Sequence, residues 1–534
     1  MLKNYFIIAI RHLLRHKQSS ILNVSCLIVG ITFFLIIGDY IIQQMNVNSE
    51  IRNVENQFIL KSKWKQEGMG PAKTSLGPLA KTLSEEFPGL VANYYRFDPV
   101  ATTVSAGDKH FTEDISIGDT TFISMFGFSL LHGNPRQAFP SGQSAVVTET
   151  FALKYFGKTD VVNNEITVHT RSDGGKHNFI ISAVLKKMSP NSVSSFIVSN
   201  TEYQVYLPIE NNQYFQGGDK GDNWYNVFIV GMLELKPGIT PANLVKPIEQ
   251  VLLKNQPYYT RDNLTVELDA LKDYHLKSNN GAIWNLIATL SLVALLTILL
   301  AVVNFINLNI GTSSYRLKEI GLRKVFGSAR LQLATQFLTE ALLLAVIASF
   351  FSLVLYESLI PVFSELLKTR LSPVLQFNRL EILFLLILTF TTGLLSGAYP
   401  AFVFSSMKAT NSMKGKMDFS DKGAMLRKSL VVVQFAIAII VFVSSLNISS
   451  QVSFLFAKDV GYEKDQVLVI SSIPHQNDSS GISKMERIKE QLVNMQGIKS
   501  ISLSNDIPDG NDGNSAQCDH HFPRQSDHPK LSQL

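Results

Sequence analysis

Four groups of residues have types and spacings that could do chemistry. The first is a basic segment, Tyr315-Arg-Leu-Lys-Glu-Ile-Gly-Leu-Arg-Lys-Val-Phe-Gly-Ser-Ala-Arg330. Its apolar residues Leu317, Ile320, Leu322, Val325 and Phe326 recur at roughly helical spacing. Glu319 can pair with Arg323 one turn later, Gly327 is a natural helix stop, and Ser328 is a natural cap for a following helix. Such a segment can be a helix presented to a partner or a basic loop that only fixes topology, and spacing leaves both open. The second group is Gly157-Lys158-Thr159, which resembles the end of a phosphate loop. The loop's first glycine would fall at Ala152, so a turn in a strand-rich domain is the better reading. The third is Cys518, His520, His521 and His528, which are metal-ligating types at a spacing that matches no standard site. The fourth is polar residues inside apolar runs. Glu340 sits where a charge is costly, which suggests a packed polar contact or a transmission element; the alternative is a protonated or snorkelling side chain. Asn304, Asn307 and Asn309 are read as hydrogen-bonding between helices. No His-Glu-x-x-His or Gly-x-Ser-x-Gly pattern occurs, so no enzyme activity, catalytic residue, metal or bound cofactor is expected.

The elements that must position these residues follow from composition. The chain has 534 residues, 46% of them hydrophobic, with a net charge of +5, and its mean hydropathy is +0.14. The apolar residues are packed into runs, which indicates a membrane protein with a soluble part. Its only cysteines, Cys26 and Cys518, cannot make a disulfide framework. Nucleic acid is not an expected partner, because the Lys and Arg residues flank the runs and form no aromatic-interleaved stripe. About five transmembrane helices are expected, at 21–42, 283–308, 331–362, 382–404 and 430–446, each long enough to cross roughly 30 Å of hydrocarbon. Residues 1–20 form a basic amphipathic segment with Lys3, Arg11, Arg15 and Lys17 and no acid. The first run lacks a cleavage site, so it is read as a retained anchor. Asp39 is expected near its outer end, in reach of water. The loops 311–330 and 405–429 are strongly basic, whereas 363–381 is not. The positive-inside rule therefore puts 1–20, 311–330 and 405–429 in the cytoplasm and the large soluble domain outside. Trp284 reads as an interface anchor, Gly393, Gly397 and Ala398 as a site of close helix approach, and Tyr399-Pro400 as the end of the fourth span.

Residues 45–280 read as an α+β domain. Gln57–Leu60, Ser144–Val147, Glu165–Val168 and Asn178–Val184 alternate as strands, while Pro78–Phe87 and Pro241–Leu253 have helical spacing. After the fifth span, Gln466-Val-Leu-Val, Arg487–Met495 and Gln496-Gly-Ile-Lys echo the strand, helix and turn that follow the first. A second outer domain is thus expected to start at 462–508 and to be incomplete. Residues 510–534 read as a disordered tail.

The succession Phe122-Ile-Ser-Met-Phe-Gly-Phe-Ser-Leu-Leu-His-Gly-Asn134, Val146–Gly157 and Ile181–Ser192 resembles the MacB-type extracytoplasmic domain. Asn304-Phe-Ile-Asn-Leu, Arg316–Gly327 and Gln336-Phe-Leu-Thr-Glu340 resemble the FtsX-type membrane module. Gly397-Ala-Tyr-Pro-Ala401 is similar to that module's last span, and Leu426–Phe435 to the start of a second half. On these motifs the chain is identified as similar to permeases of the MacB/FtsX superfamily of ABC transporters, two-module type with the second module incomplete. A truncation or shifted reading frame would account for that departure.

The resemblance implies an inner (plasma) membrane permease subunit that couples ATP hydrolysis by a separate ABC ATPase to export or mechanotransmission on the outer side. Substrates of the family are lipoproteins, peptides or drugs. The implied coupling residues are Arg316, Lys318, Glu319, Ile320, Gly321, Arg323, Lys324, Val325, Phe326 and Gly327, with Glu340 and Asn304 as intramembrane polar positions. ATP would be used by the partner and no cofactor held here. Implied partners are a second permease, as homo- or heterodimer, and a lipoprotein, adaptor or outer-membrane channel. Reversing Arg323 and Lys324 to Glu is expected to abolish stimulation of the ATPase. Two other readings stand beside this one: an FtsX-like regulator of a cell-wall hydrolase or signalling partner, and a non-functional truncated permease.

Overall fold

The computed structural model describes residues 17–65, 73–170, 175–196, 202–216, 221–225, 227–257, 263–311, 321–406, 421–458, 467–468 and 479–502. The chain forms two compact units. One comprises Glu50–Leu271, and the other the chain up to Ser49 together with Lys272–Leu468. The first helix, α1 (Lys17–Met45), belongs to the second unit.

The Glu50–Leu271 unit is built on one mixed sheet. Its strands are β1 (Gln57–Trp64), β2 (Val91–Ala106), β3 (Lys109–Gly118), β4 (Leu130–His132), β5 (Ser144–Thr148), β6 (Glu165–His169), β7 (Lys176–Leu185), β8 (Val205–Pro208), β9 (Val230–Leu235) and β10 (Leu264–Ala270). They lie in the order β10-β1-β9-β2-β3-β8-β5-β7-β4, with β6 pairing both β2 and β7. Pairing is antiparallel except between β3 and β8 and between β5 and β7. Three helices cover the sheet: α2 (Leu79–Glu86), α3 (Glu149–Phe156) and α4 (Pro241–Asn255).

The long β2 joins two hydrophobic cores. Its first half pairs with β9, from Val91↔Leu235 to Phe97↔Val230. Its second half pairs with β3, from Phe97↔Gly118 to Ala106↔Lys109. Around the first half, Leu60, Leu79, Leu83, Leu244, Ile248 and Val251 are buried from β1, α2 and α4. Around the second half, Val104, Ile115, Val147, Phe151, Ile181 and Val205 are buried with α3. Each such side chain contributes about 1.5–3 kcal/mol when fully buried. The motif Phe122–Phe126 is a single helical turn whose Phe122, Met125 and Phe126 are buried. Phe122 stacks on Tyr206 at 4.3 Å between ring centroids, and Phe126 meets Tyr95 edge-on.

The second unit contains α5 (Leu271–Gly311), α6 (Arg330–Leu366), α7 (Arg379–Ser406) and α8 (Asp421–Ala457). Among the described residues five helices are long and apolar enough to cross a membrane: Ser20–Met45, Asn280–Asn309, Arg330–Leu366, Arg379–Val403 and Lys428–Ala457. The helices that carry them, α7 (Arg379–Ser406) among them, all run beyond the apolar cores visible in the sequence, because once a helix is nucleated its polar ends extend at little further cost. Helices α1, α6 and α7 share one core, with Leu27, Ile31 and Leu35 against Ala341, Leu344 and Ala348. The close approach expected at Gly393 and Gly397 is present. A Cβ on Gly397 would lie 2.7 Å from Ala341 Cβ, and one on Gly393 3.0 Å from Leu342 Cα. Tyr399-Pro400 does not end the fourth span. Pro400 lies inside α7, which continues to Ser406; a membrane helix can absorb the one lost backbone bond through its neighbours. The apolar stretch of α8 is exposed, and its contacts with α5 include Leu430, beside Val302 and Ile306, and Gln434.

The repeat expected after 462 is only partly within the described residues. The helix anticipated around Arg487–Met495 is Ser479–Val493.

Candidate functional site: the basic turn between two spans

The described part of the basic segment begins at Gly321. Residues 321–325 are helical, and the turn closes by a specific exchange of hydrogen bonds. Ser328 N donates to Arg323 O at 3.0 Å, and Gly327 N to Lys324 O at 3.1 Å. This pair is the Schellman closure, which needs a left-handed residue just past the helix; Gly327 supplies it at φ +90°. The next helix starts at Arg330 with Ala329 at its N-cap, so Ser328 is not the cap the sequence suggests. Instead Gln332 Oε1 reaches back to accept from Ala329 N at 3.1 Å.

Closure sorts the side chains into two faces. Leu322, Val325 and Phe326 point outward, with exposures of 49%, 63% and 84%. Gly321 is buried, and Arg323 and Lys324 are half-buried. Arg323 Nη1 donates to Gln336 Oε1 on α6. Lys324 Nζ donates to Ser405 O, near the C-terminal end of α7, at 2.8 Å. Burial, reinforced by Arg330, pushes the Lys324 ammonium below its ordinary pKa. Arg316, Lys318, Glu319 and Ile320, and with them the Glu319–Arg323 pair, lie outside the described residues.

The intramembrane polar residues have identifiable surroundings. Glu340 lies on the buried stripe of α6 that also holds Leu333, Phe337 and Leu344. Asn304 Nδ2 donates to Cys26 Sγ at 2.9 Å, linking α5 to α1. Asn307 Nδ2 donates to Gln434 Oε1 at 3.2 Å, linking α5 to α8. Asn309 Nδ2 also bonds Phe305 O within its own helix at 3.1 Å.

Asp39 also departs from expectation. It does not reach water but is 3% exposed. Its carboxyl group accepts from Tyr356 Oη at 3.0 Å, from Ser372 N at 2.9 Å and from Gln43 Nε2 at 3.4 Å. The Ser372 hydroxyl receives Gln43 Nε2 at 2.7 Å and donates to Glu381 Oε1 at 3.4 Å. The connection between α6 and α7 folds back over the end of α1 and satisfies a carboxyl group that would otherwise be stranded. Beside it, Gln44 Nε2 donates to Thr369 Oγ1 at 3.0 Å, so Gln44 Oε1 is left to accept from His275 Nε2 at 2.6 Å. That bond requires the proton on Nε2, and burial holds the His275 pKa low, favouring the neutral ring. The signal for this network was available in Asp39 itself, an acid within an apolar run.

In the Glu50–Leu271 unit, Gly157 terminates α3 in a left-handed conformation at φ +72°. The Gly157-Lys158-Thr159 run thus follows a helix C-terminus, whereas a phosphate loop must lead into a helix N-terminus. Cys518, His520, His521 and His528 lie outside the described residues. A buried ion pair, Arg96–Asp119, sits where β2 passes from one core to the other. It was not legible in the sequence, since Arg96 lies within β2 and Asp119 just past the end of β3.

Two family models match the chain. The MacB-like periplasmic core domain matches residues 20–251, and the FtsX-like permease C-terminal domain matches residues 291–409. No curated protein matches. Among solved structures, a domain assigned to a permease protein from Porphyromonas gingivalis aligns at 20% identity and TM-score 0.33, covering 41% of this chain and 92% of its own. The periplasmic region of MacB from Actinobacillus actinomycetemcomitans aligns at 13% identity and TM-score 0.30, covering 41% and 90%. The extracellular domain of the ABC-type transporter YknZ from Gram-positive bacteria aligns at 12% identity and TM-score 0.28, covering 40% and 99%.

Proposed function

We propose, from the premise that this chain belongs to the MacB/FtsX-type ABC permeases, that it couples ATP hydrolysis by a separate ATPase to export or mechanotransmission outside the membrane. Family and apolar helices together make it a multi-pass inner-membrane protein with a periplasmic domain. In the proposed orientation the N-terminus and the basic turn face the cytoplasm and the Glu50–Leu271 unit faces outward, in line with the charge bias of the loops. The ATPase is the proposed partner at the turn, and a second permease, lipoprotein, adaptor or outer-membrane channel would act beside or outside it.

The observation that carries the reading is the outward apolar triad Leu322, Val325 and Phe326 on a rigidly closed turn between two spans. Exposed aromatic and aliphatic side chains held on a fixed scaffold are what a partner's groove can bury at low entropic cost. Replacing Phe326 by Asp in the full chain is expected to weaken association with the ATPase by about 30-fold, as for loss of an aromatic anchor worth ~2 kcal/mol. Co-purification and ATPase stimulation measure this. Wild-type association and stimulation in the variant would rule the turn out as the coupling contact.

A further inference from the structure

We propose that Arg323 and Lys324 are positioning residues that fasten the basic turn to α6 and α7, and do not dock on the ATPase. The inference rests on the coupling role of the turn. It changes the meaning of the two cations most easily taken for docking charges.

Three observations carry it. First, the faces are separated: the apolar triad is outward, whereas both cations are half-buried and turned toward the helices. Second, each cation has a partner on a different helix. Arg323 bonds Gln336, in the second turn of α6. Lys324 bonds the carbonyl of Ser405, the residue before the last of α7. Third, Ser405 is buried, so the Lys324 ammonium meets its carbonyl away from bulk water, where a charge-assisted hydrogen bond is stronger than at the surface.

A force applied at Phe326 is therefore delivered to two helices. Lys324 pulls on the inner end of α7, and α7 lies close along α6, whose Ala341 and Leu342 fill the space that a side chain at Gly397 or Gly393 would need. At its other end α7 begins next to the network around Asp39, through Glu381 and Ser372. The turn, α7 and α1 form one chain of contacts.

The test uses the full-length chain and the ATPase that co-purifies with it. Lys324→Met is expected to hold association within about threefold of wild type while stimulation falls about tenfold, the size expected for one charge-assisted hydrogen bond. Lys324→Arg, which can still donate to the carbonyl, is expected to restore stimulation. In the same preparation without ATPase, backbone amides at the end of α7 are expected to exchange faster in Lys324→Met, while those of the α6 interior keep wild-type protection. That second readout separates a loosened helix end from a misfolded protein. Association lost by Lys324→Met to the extent seen for Phe326→Asp would make Lys324 a docking residue and overturn the proposal, leaving the coupling role intact. Unchanged stimulation and unchanged exchange in Lys324→Met would overturn it too. Failure of Phe326→Asp to affect association would instead remove the coupling role itself.

Discussion

Replacing Asp119 by Ala is expected to destabilise the Glu50–Leu271 unit by about 3 kcal/mol, the low end of the penalty for breaking a buried ion pair, because the exposed Asp222 stays 3.3 Å from Arg96. Asp119 holds Arg96 with both oxygens. Arg96 Nε donates to Oδ2 and Nη2 to Oδ1, each at 3.0 Å, and the Arg96 backbone N also donates to Oδ2 at 2.8 Å. Both side chains are buried. The remaining donor, Nη1, reaches Gly221 O at 2.7 Å, Gly77 O at 3.3 Å and the exposed carboxylate of Asp222 at 3.3 Å. The guanidinium thus ties β2 to three separate segments at the point where β2 leaves one core and enters the other. Against a domain stability of about 5–15 kcal/mol, the loss would remove a large fraction of that stability. Proteolysis of the full chain across a urea gradient, followed at this unit, measures it. Asp119→Asn keeps one acceptor and is expected to lose less. The pair Arg96→Met with Asp119→Leu is expected to be more stable than Asp119→Ala alone, because no buried charge remains. If Asp119→Ala unfolds with the wild-type profile, the junction does not depend on this pair.

What could be read from the sequence divides along physical lines. Alternation of period two identified the strands around Ser144, Glu165 and Asn178, and run length identified the five apolar helices, because both signals are local. The Gly327 stop was also local, since a left-handed closure favours one residue type. Positions decided by distant partners were not legible. Arg96 and Asp119 meet across a sheet register that no single segment encodes. Asp39 was expected to reach water because its position in the run is near one end; the connection between α6 and α7 covers it instead. The basic turn is the most instructive case. Its charges were visible, and helical spacing suggested a face, but which face turns inward depends on Gln336 and on the end of α7. The resemblance made Arg323 and Lys324 coupling residues without saying which way they face.

The same reasoning makes Asp39 the position in the membrane unit where one substitution has the largest expected effect. Asp39→Ala removes the acceptor of Ser372 N, a half-buried donor, and one of the two acceptors of the buried Tyr356 Oη. At about 1–3 kcal/mol for a donor left without a partner, the expected loss is of that size, read as a lowered thermal midpoint of the full chain in detergent. Tyr356 keeps a second acceptor, Ser372 O at 2.9 Å, so Tyr356→Phe is expected to cost less than Asp39→Ala. Asp39→Asn distinguishes shape from hydrogen bonding: it fills the same space and keeps one oxygen, so it should fall between Ala and wild type. The order Ala, then Asn, then wild type in rising midpoint is what a hydrogen-bonded latch between α1 and the α6–α7 connection requires. Equal midpoints for Asn and Ala would mean that both oxygens are needed at once. A wild-type midpoint for Ala would mean that the apolar packing of α1 on α6, through Leu27, Ile31 and Leu35, holds the three helices without it. In the first two outcomes the latch fixes the N-terminal end of α7 relative to α1, which is the condition for a displacement at Lys324 to be felt by the first span.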